Sequence, residues 1–141
     1  MQAAHSERRA ILLIEDDPTI GALLDEYLSG EGYSVTTALD AAAALVALAA
    51  RPFDLIVADA LAEQRPPAER WTRLEAIQRA ARGTPIIICT AHRASDYADY
   101  TARGFSALIT KPFDLEALLA SIVHTIGCDA RQGMGERRDA H

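Results

Sequence analysis

Asp54-Leu-Ile-Val-Ala-Asp59 is the stretch that decides the fold. Four consecutive apolar residues, Leu55 to Ala58, read as a strand buried on both faces, the pattern of a parallel sheet covered by helices. A carboxylate is a poor strand residue and a costly one to bury, so Asp59 at the strand's end points to chemistry. Aspartate also starts turns, and on its own Asp59 would be read that way. The rest of the chain decides between the two.

Working outward, apolar runs and helical periodicities alternate. Upstream, Ala10 to Ile14 is a second fully buried strand, ending in Glu15-Asp16-Asp17-Pro18. Asp17 is a good N-cap and Pro18 a good first helical residue, and Ile20, Leu23, Leu24, Tyr27 and Leu28 form one apolar helix face up to Gly30 and Gly32. Tyr33 to Thr37 reads as a short strand, and Asp40 caps an alanine-rich helix with Ala41, Ala44, Leu45, Leu48 and Ala49 along one side. Downstream of Asp59, a loop over 60–65 leads to a helix opened by Pro66-Pro67, with Trp71, Leu74, Ile77 and Ala81 inward, Trp71 as a core residue. Ile86 to Thr90 is a fourth strand. A weakly hydrophobic helix is expected over Ala94 to Ala102, carrying Tyr97 and Tyr100 as half-buried packing residues. Ser106 to Thr110 is a fifth strand, and Asp114 caps a last helix with Leu115, Leu118, Leu119, Ile122, Val123 and Ile126 inward.

Five βα units imply a parallel sheet with helices on both faces and right-handed crossovers. The expected organisation is a flexible N-terminus over 1–9, one domain over 10–127 and a disordered, Gly- and charge-rich tail over 128–141. At 141 residues there is room for one domain with a real core. The net charge of −6 argues against a nucleic-acid-coating surface. Ala41 to Ala50 is too short to cross a bilayer, and Met1 to Ala10 lacks a signal-peptide pattern, so a cytoplasmic protein without membrane attachment is expected. Cys89 reads as a buried, inert thiol. Cys128 and the scattered His5, His92, His124 and His141 show no zinc-type spacing, so neither a disulfide nor a transition metal is expected.

Parallel strands deliver their C-terminal ends to one edge of the sheet, where ligands bind. Those ends carry Glu15 and Asp16, then Asp59, then Thr90, then Lys111. Carboxylates crowded together repel unless a cation holds them, and hard oxygen ligands open to solvent suit Mg²⁺. A hydroxyl and an ammonium beside them would bind an anion, which completes the parts needed for phosphoryl transfer. Glu15 and Asp16 could instead be capping acids, and Thr90 an ordinary strand residue, but neither reading accounts for the company of Lys111.

Together, Ile11-Leu-Leu-Ile-Glu-Asp-Asp17, Asp54-Leu-Ile-Val-Ala-Asp59, Thr90-Ala91 and Lys111-Pro112-Phe113 resemble the receiver domain of two-component response regulators, in that family's order and spacing over about residues 10–127. The resemblance implies a flavodoxin-like (βα)5 doubly wound sheet of strand order 2-1-3-4-5. It implies that Asp59 is the phosphoacceptor attacking phosphohistidine on a sensor histidine kinase or phosphotransfer protein. Glu15, Asp16, Asp59 and the Leu61 backbone carbonyl would hold Mg²⁺. Thr90 and Lys111 would contact the bound phosphoryl group, and the Lys111-Pro112 bond resembles one that is cis in the family.

The chain departs from the family at two places. Asp59 is followed by Ala-Leu-Ala-Glu-Gln-Arg-Pro-Pro, with Glu63 and Pro67 where a proline and a glycine are common, and Leu108 stands where an aromatic commonly swings inward. Leu61 and His92 match positions that tune acyl-phosphate hydrolysis. Leu61 offers an attacking water no hydrogen bond, so slow hydrolysis is expected. With no helix-turn-helix or output enzyme after Gly127, the first reading is a single-domain regulator that does not bind DNA directly. It is expected to signal to a downstream partner protein through the 94–127 face. A degenerate receiver that binds its partner without phosphorylation is the second reading. An aspartyl phosphatase is the third, and it lacks the second acid such enzymes place where Leu61 stands.

Overall fold

The computed structural model describes residues 8–59, 65–112 and 114–127. The strands are β1 (Ala10–Glu15), β2 (Ser34–Ala38), β3 (Leu55–Asp59), β4 (Ile86–Thr90) and β5 (Ala107–Thr110). The helices are α1 (Pro18–Gly30), α2 (Ala41–Ala50), α3 (Pro67–Ala81) and α4 (Leu115–Ile126), with one 3₁₀ turn at Ala94–Tyr97. All five strands run parallel in the order β2-β1-β3-β4-β5. The expected doubly wound sheet is therefore the observed one.

The sheet's two faces follow from strand alternation. Leu12 and Ile14 of β1, Ile56 and Ala58 of β3 and Ile86 and Ile88 of β4 bury against α2 and α3, around Trp71, Leu74 and Ile77. Ile11, Leu13, Leu55, Val57, Ile87 and Cys89 bury on the other face, against Leu24 and Leu28 of α1 and Leu118 and Ile122 of α4. β3 and β4 are buried along their whole length, whereas β2 and β5 at the edges are only partly covered.

Asp54, at the N-terminal end of β3, accepts a hydrogen bond from the Ala10 amide at 2.7 Å while its own amide donates to the Ala10 carbonyl. That aspartate sets the register of β3 against β1 and has no role at the opposite edge. Helix starts obey their caps. Asp17 accepts from the amides of Thr19 and Ile20, Asp40 from Ala43 and Asp114 from Ala117. Tyr33 is buried beneath α1 and donates its hydroxyl to the Gly127 carbonyl at 2.9 Å, tying the start of β2 to the end of α4.

Three expectations need correction. The buried row of α1 is Gly21, Leu24 and Leu28, while Ile20 and Leu23 are exposed. The inward row runs through Gly21, where an added Cβ would sit in ordinary contact with the Glu15 side chain at 3.7 Å, and this row leaves Ile20 and Leu23 in solvent. In α2 the one fully buried residue is Ala44, with Leu45 exposed, because a short alanine helix reaches the sheet only along a narrow row. The third correction is the segment after β4.

No α-helix forms over 94–102. After the 3₁₀ turn the chain continues as turns to Gly104, held by short-range bonds such as Tyr100 N–H to the Tyr97 carbonyl and Gly104 N–H to the Thr101 carbonyl. Of Ala94 to Gly104, Tyr97 alone is fully buried, so no apolar stripe exists to stabilise a helix by packing. Tyr97 is thus core rather than half-buried, edge-on to Trp71 at 5.4 Å. Arg103 clamps the end of the segment, bonding Asp99 and Glu75 at 2.8 and 2.9 Å and lying 4.2 Å over the Trp71 ring. The fifth strand starts at Ala107, one residue later than expected.

Candidate functional site

Register builds the site. Glu15 pairs with Asp59 across β1 and β3, and Asp59 pairs with Cys89 across β3 and β4. Glu15 and Asp59 share the side-chain parity of Leu13 and Val57, so both carboxylates project from the same face at neighbouring strand ends. Both are buried, Glu15 at 2% exposure and Asp59 at 1%. Lys111 follows β5 immediately and brings its ammonium to 2.6 Å from Asp59 Oδ1. Its amide donates to the Thr90 carbonyl at 2.7 Å, and the Lys111-Pro112 peptide is cis, as the family resemblance implied.

The electrostatics follow from that crowding. The Glu15 carboxyl is pushed up to about 8, first by burial and then by its contacts with Asp59 and Asp16, against the lowering effect of the Asp17 amide that donates to Oε2 at 3.0 Å. Burial alone would lower the Lys111 ammonium, but its bond to Asp59 and the fields of Asp59 and Glu15 raise it. Glu15 Oε1 and Asp59 Oδ1 are buried without a hydrogen-bond partner. The nearest group to Asp59 Oδ1 is the Lys111 ammonium, an ion pair at 2.6 Å.

Of the residues singled out from sequence, Glu15, Asp59 and Lys111 come together in direct contact. Asp16 is exposed beside Glu15. Thr90 is completely buried at the end of β4, its hydroxyl accepting from the His92 amide at 3.0 Å. Leu61 and Glu63 lie outside the described residues, as do Cys128, His5 and the 128–141 segment. Among the described residues no three His, Cys, Asp or Glu side chains surround a common cation position in this conformation. Glu15 Oε1, buried without a hydrogen-bond partner, and the Asp59 carboxylate paired with it across the strands are nonetheless donors a hard cation takes, so the residues present fit Mg²⁺.

The sequence reading missed Arg70. It is buried, its Nη1 donating to the Arg65 carbonyl at 2.8 Å and lying 3.5 Å from His92 Nε2. A signal existed: Arg70 falls on the same helical stripe as Leu74, Ile77 and Ala81, where a charged residue is out of place.

These features define a doubly wound α/β protein with an acid–lysine site at the carboxyl edge of its sheet. The chain belongs to the response regulator receiver domain family, whose sequence profile matches residues 11–123. It is 34% identical over 113 residues to the transcriptional regulatory protein GlrR of Escherichia coli K12, spanning 79% of this chain and 25% of that protein. It is 35% identical over 113 residues to the transcriptional regulatory protein RprY of Bacteroides fragilis, spanning 79% and 47%. The chain thus spans between a quarter and a half of the curated relatives it matches. Among solved structures it resembles the chemotaxis response regulator CheY4 of Vibrio cholerae, with TM-score 0.70 and 26% identity over 84% of this chain and 98% of that one. It also resembles the HemR receiver domain of Leptospira biflexa, with TM-score 0.71 and 29% identity over 84% and 94%.

Proposed function

We propose that Asp59 accepts a phosphoryl group from the phosphohistidine of a sensor histidine kinase or phosphotransfer protein, and that the resulting acyl phosphate controls binding to another protein. The observation that carries this reading is the buried Asp59 carboxylate held at 2.6 Å by Lys111 beside a second buried acid. A carboxylate oxygen of Asp59 attacks phosphorus, the N–P bond breaks, and its electron pair leaves with the donor imidazole, which takes up a proton. Lys111 then pairs with one phosphoryl oxygen and Thr90 donates its hydroxyl to another. A bound Mg²⁺, held by Glu15, Asp16, Asp59 and the Leu61 carbonyl, would supply charge neutralisation for the phosphoryl oxygens. Glu15 and Asp59 contribute the buried oxygens for it, and Asp16 an exposed one.

On this reading the chain is a signalling domain that turns over only its own phosphoryl group, in the cytoplasm. Its output passes through the face built by residues 94–127. The domain proposed is a receiver over residues 10–127. Leu61 makes the acyl phosphate long-lived, and Leu61→Asn, which could orient an attacking water, shortens its half-life.

A degenerate receiver is the second reading, favoured by the lack of a three-acid grouping among the described residues. Mass spectrometry after incubation with phosphoramidate separates the two. Mg²⁺-dependent gain of one phosphoryl group in the wild type and none in Asp59→Asn is the expected result; an unmodified wild type supports the degenerate reading.

A further inference from the structure

A buried cation in α3 has no part in the chemistry above. Arg70 is only 6% exposed, and among the described residues no carboxylate lies within ion-pair distance of it. Its Nε is buried with no hydrogen-bond partner. Taking a guanidinium out of water is expensive, so what it holds should matter.

It holds three things. Nη1 donates to the carbonyl of Arg65, on the chain that has left β3, at 2.8 Å. The same nitrogen lies 3.5 Å from Nε2 of His92, on the chain that has left β4. The guanidinium carbon sits 5.5 Å from the centroid of the Tyr97 ring. On one side of this brace, the His92 amide donates to the Thr90 hydroxyl at 3.0 Å. On the other, Tyr97 stands edge-on to Trp71 at 5.4 Å, and Trp71 packs on Phe105 at 5.5 Å.

We propose that Arg70 is a positioning residue that connects the Thr90 hydroxyl, through His92, to the Trp71–Tyr97–Phe105 cluster, so that a phosphoryl group on Asp59 is felt beneath the 94–104 surface. The proposal rests on the phosphoacceptor reading of Asp59. A hydroxyl drawn towards a phosphoryl oxygen reorients, which disturbs the bond it accepts from His92. Arginine can only donate, so a hydrogen bond across this 3.5 Å contact uses His92 Nε2 as its acceptor and couples the ring to the guanidinium. Cation-over-ring and edge-to-face contacts both depend on orientation, and a close-packed interior answers a small push with a discrete rearrangement. Leu108 packs against the same cluster but has no polar atom with which to make the link.

Trp71 is the chain's single tryptophan, so its emission reports on the cluster. The test titrates the protein with beryllium fluoride, a phosphoryl mimic, in Mg²⁺, following occupancy by the bound-fluoride NMR resonance and the cluster by Trp71 emission. In the wild type the emission is expected to change as the bound resonance appears. Arg70→Met is expected to show the bound resonance at saturating mimic while Trp71 stays silent. His92→Ala breaks the same link from the other side, is expected to behave alike, and takes over if circular dichroism shows Arg70→Met unfolded. A wild-type-sized Trp71 response in a folded variant overturns the proposal, as does a silent Trp71 in a wild type with bound fluoride. No bound fluoride in the wild type overturns the phosphoacceptor reading and this proposal with it.

Discussion

Lys111 reaches from the end of β5, across β4, to place its ammonium 2.6 Å from Asp59 at the end of β3. That span covers two strand spacings, roughly 10 Å. Asp59 is buried, so the lysine is what makes an ionised carboxylate tolerable there.

Lys111→Met therefore leaves the carboxylate uncompensated and should cost about 1–3 kcal/mol of stability. The cost falls between those of exposed and fully buried pairs because the lysine side chain is 27% exposed and water screens it. Urea denaturation of metal-free protein measures it. The same variant should bind Mg²⁺ more tightly by calorimetry, since the charge competing for Asp59 is gone.

Glu15 should make the metal-free protein pH-sensitive. Its carboxyl titrates at 4.5 in the unfolded reference and at about 8 when folded. Between those values the folded state binds the extra proton, so this contribution is complete below 4.5 and is lost as pH rises through about 8. Denaturation midpoints should fall across that window in the wild type and hold flatter in Glu15→Gln. Mg²⁺ should oppose the fall, and its binding near neutral pH should release a proton, visible as a buffer-dependent calorimetric enthalpy.

Tyr33→Phe removes the hydroxyl that bonds the Gly127 carbonyl while keeping the buried ring. The expected cost is about 1 kcal/mol, a fall in Tm of roughly 2–6 °C. An unchanged Tm would mean that β2 and the end of α4 are held together by packing alone.

Arg103→Ala should loosen the turns after β4 without harming the sheet. The Arg103 side chain joins Glu75, Asp99 and the Trp71 face, and the turns bury few other side chains. Amide exchange over residues 98–104 should quicken, while β1, β3 and β4 keep wild-type protection.

The strands and the site were legible because both rest on local composition. Leu55 to Ala58 and Ile86 to Cys89 can only be buried strands in a chain alternating this way, and a parallel sheet sends Glu15, Asp59, Thr90 and Lys111 to one edge. What was illegible depended on three-dimensional contact. Nothing in the α1 pattern shows that the buried row runs through Gly21, beside Glu15, and leaves Ile20 and Leu23 outside. The segment 94–102 has helix-compatible residues, and its failure to form a helix follows from Tyr97 being its one fully buried side chain. Arg70 was legible in part, as a charge on an apolar stripe, but its grip on Arg65 and His92 was not.

Borohydride reduction offers the most direct measurement of the central claim, because it converts an aspartyl phosphate into homoserine at the residue that carried it. Protein treated with acetyl phosphate and Mg²⁺, reduced and digested, should yield homoserine at position 59 and at no other aspartate. Homoserine at Asp16 or Asp54, or none in folded protein with Mg²⁺ bound, would contradict the account.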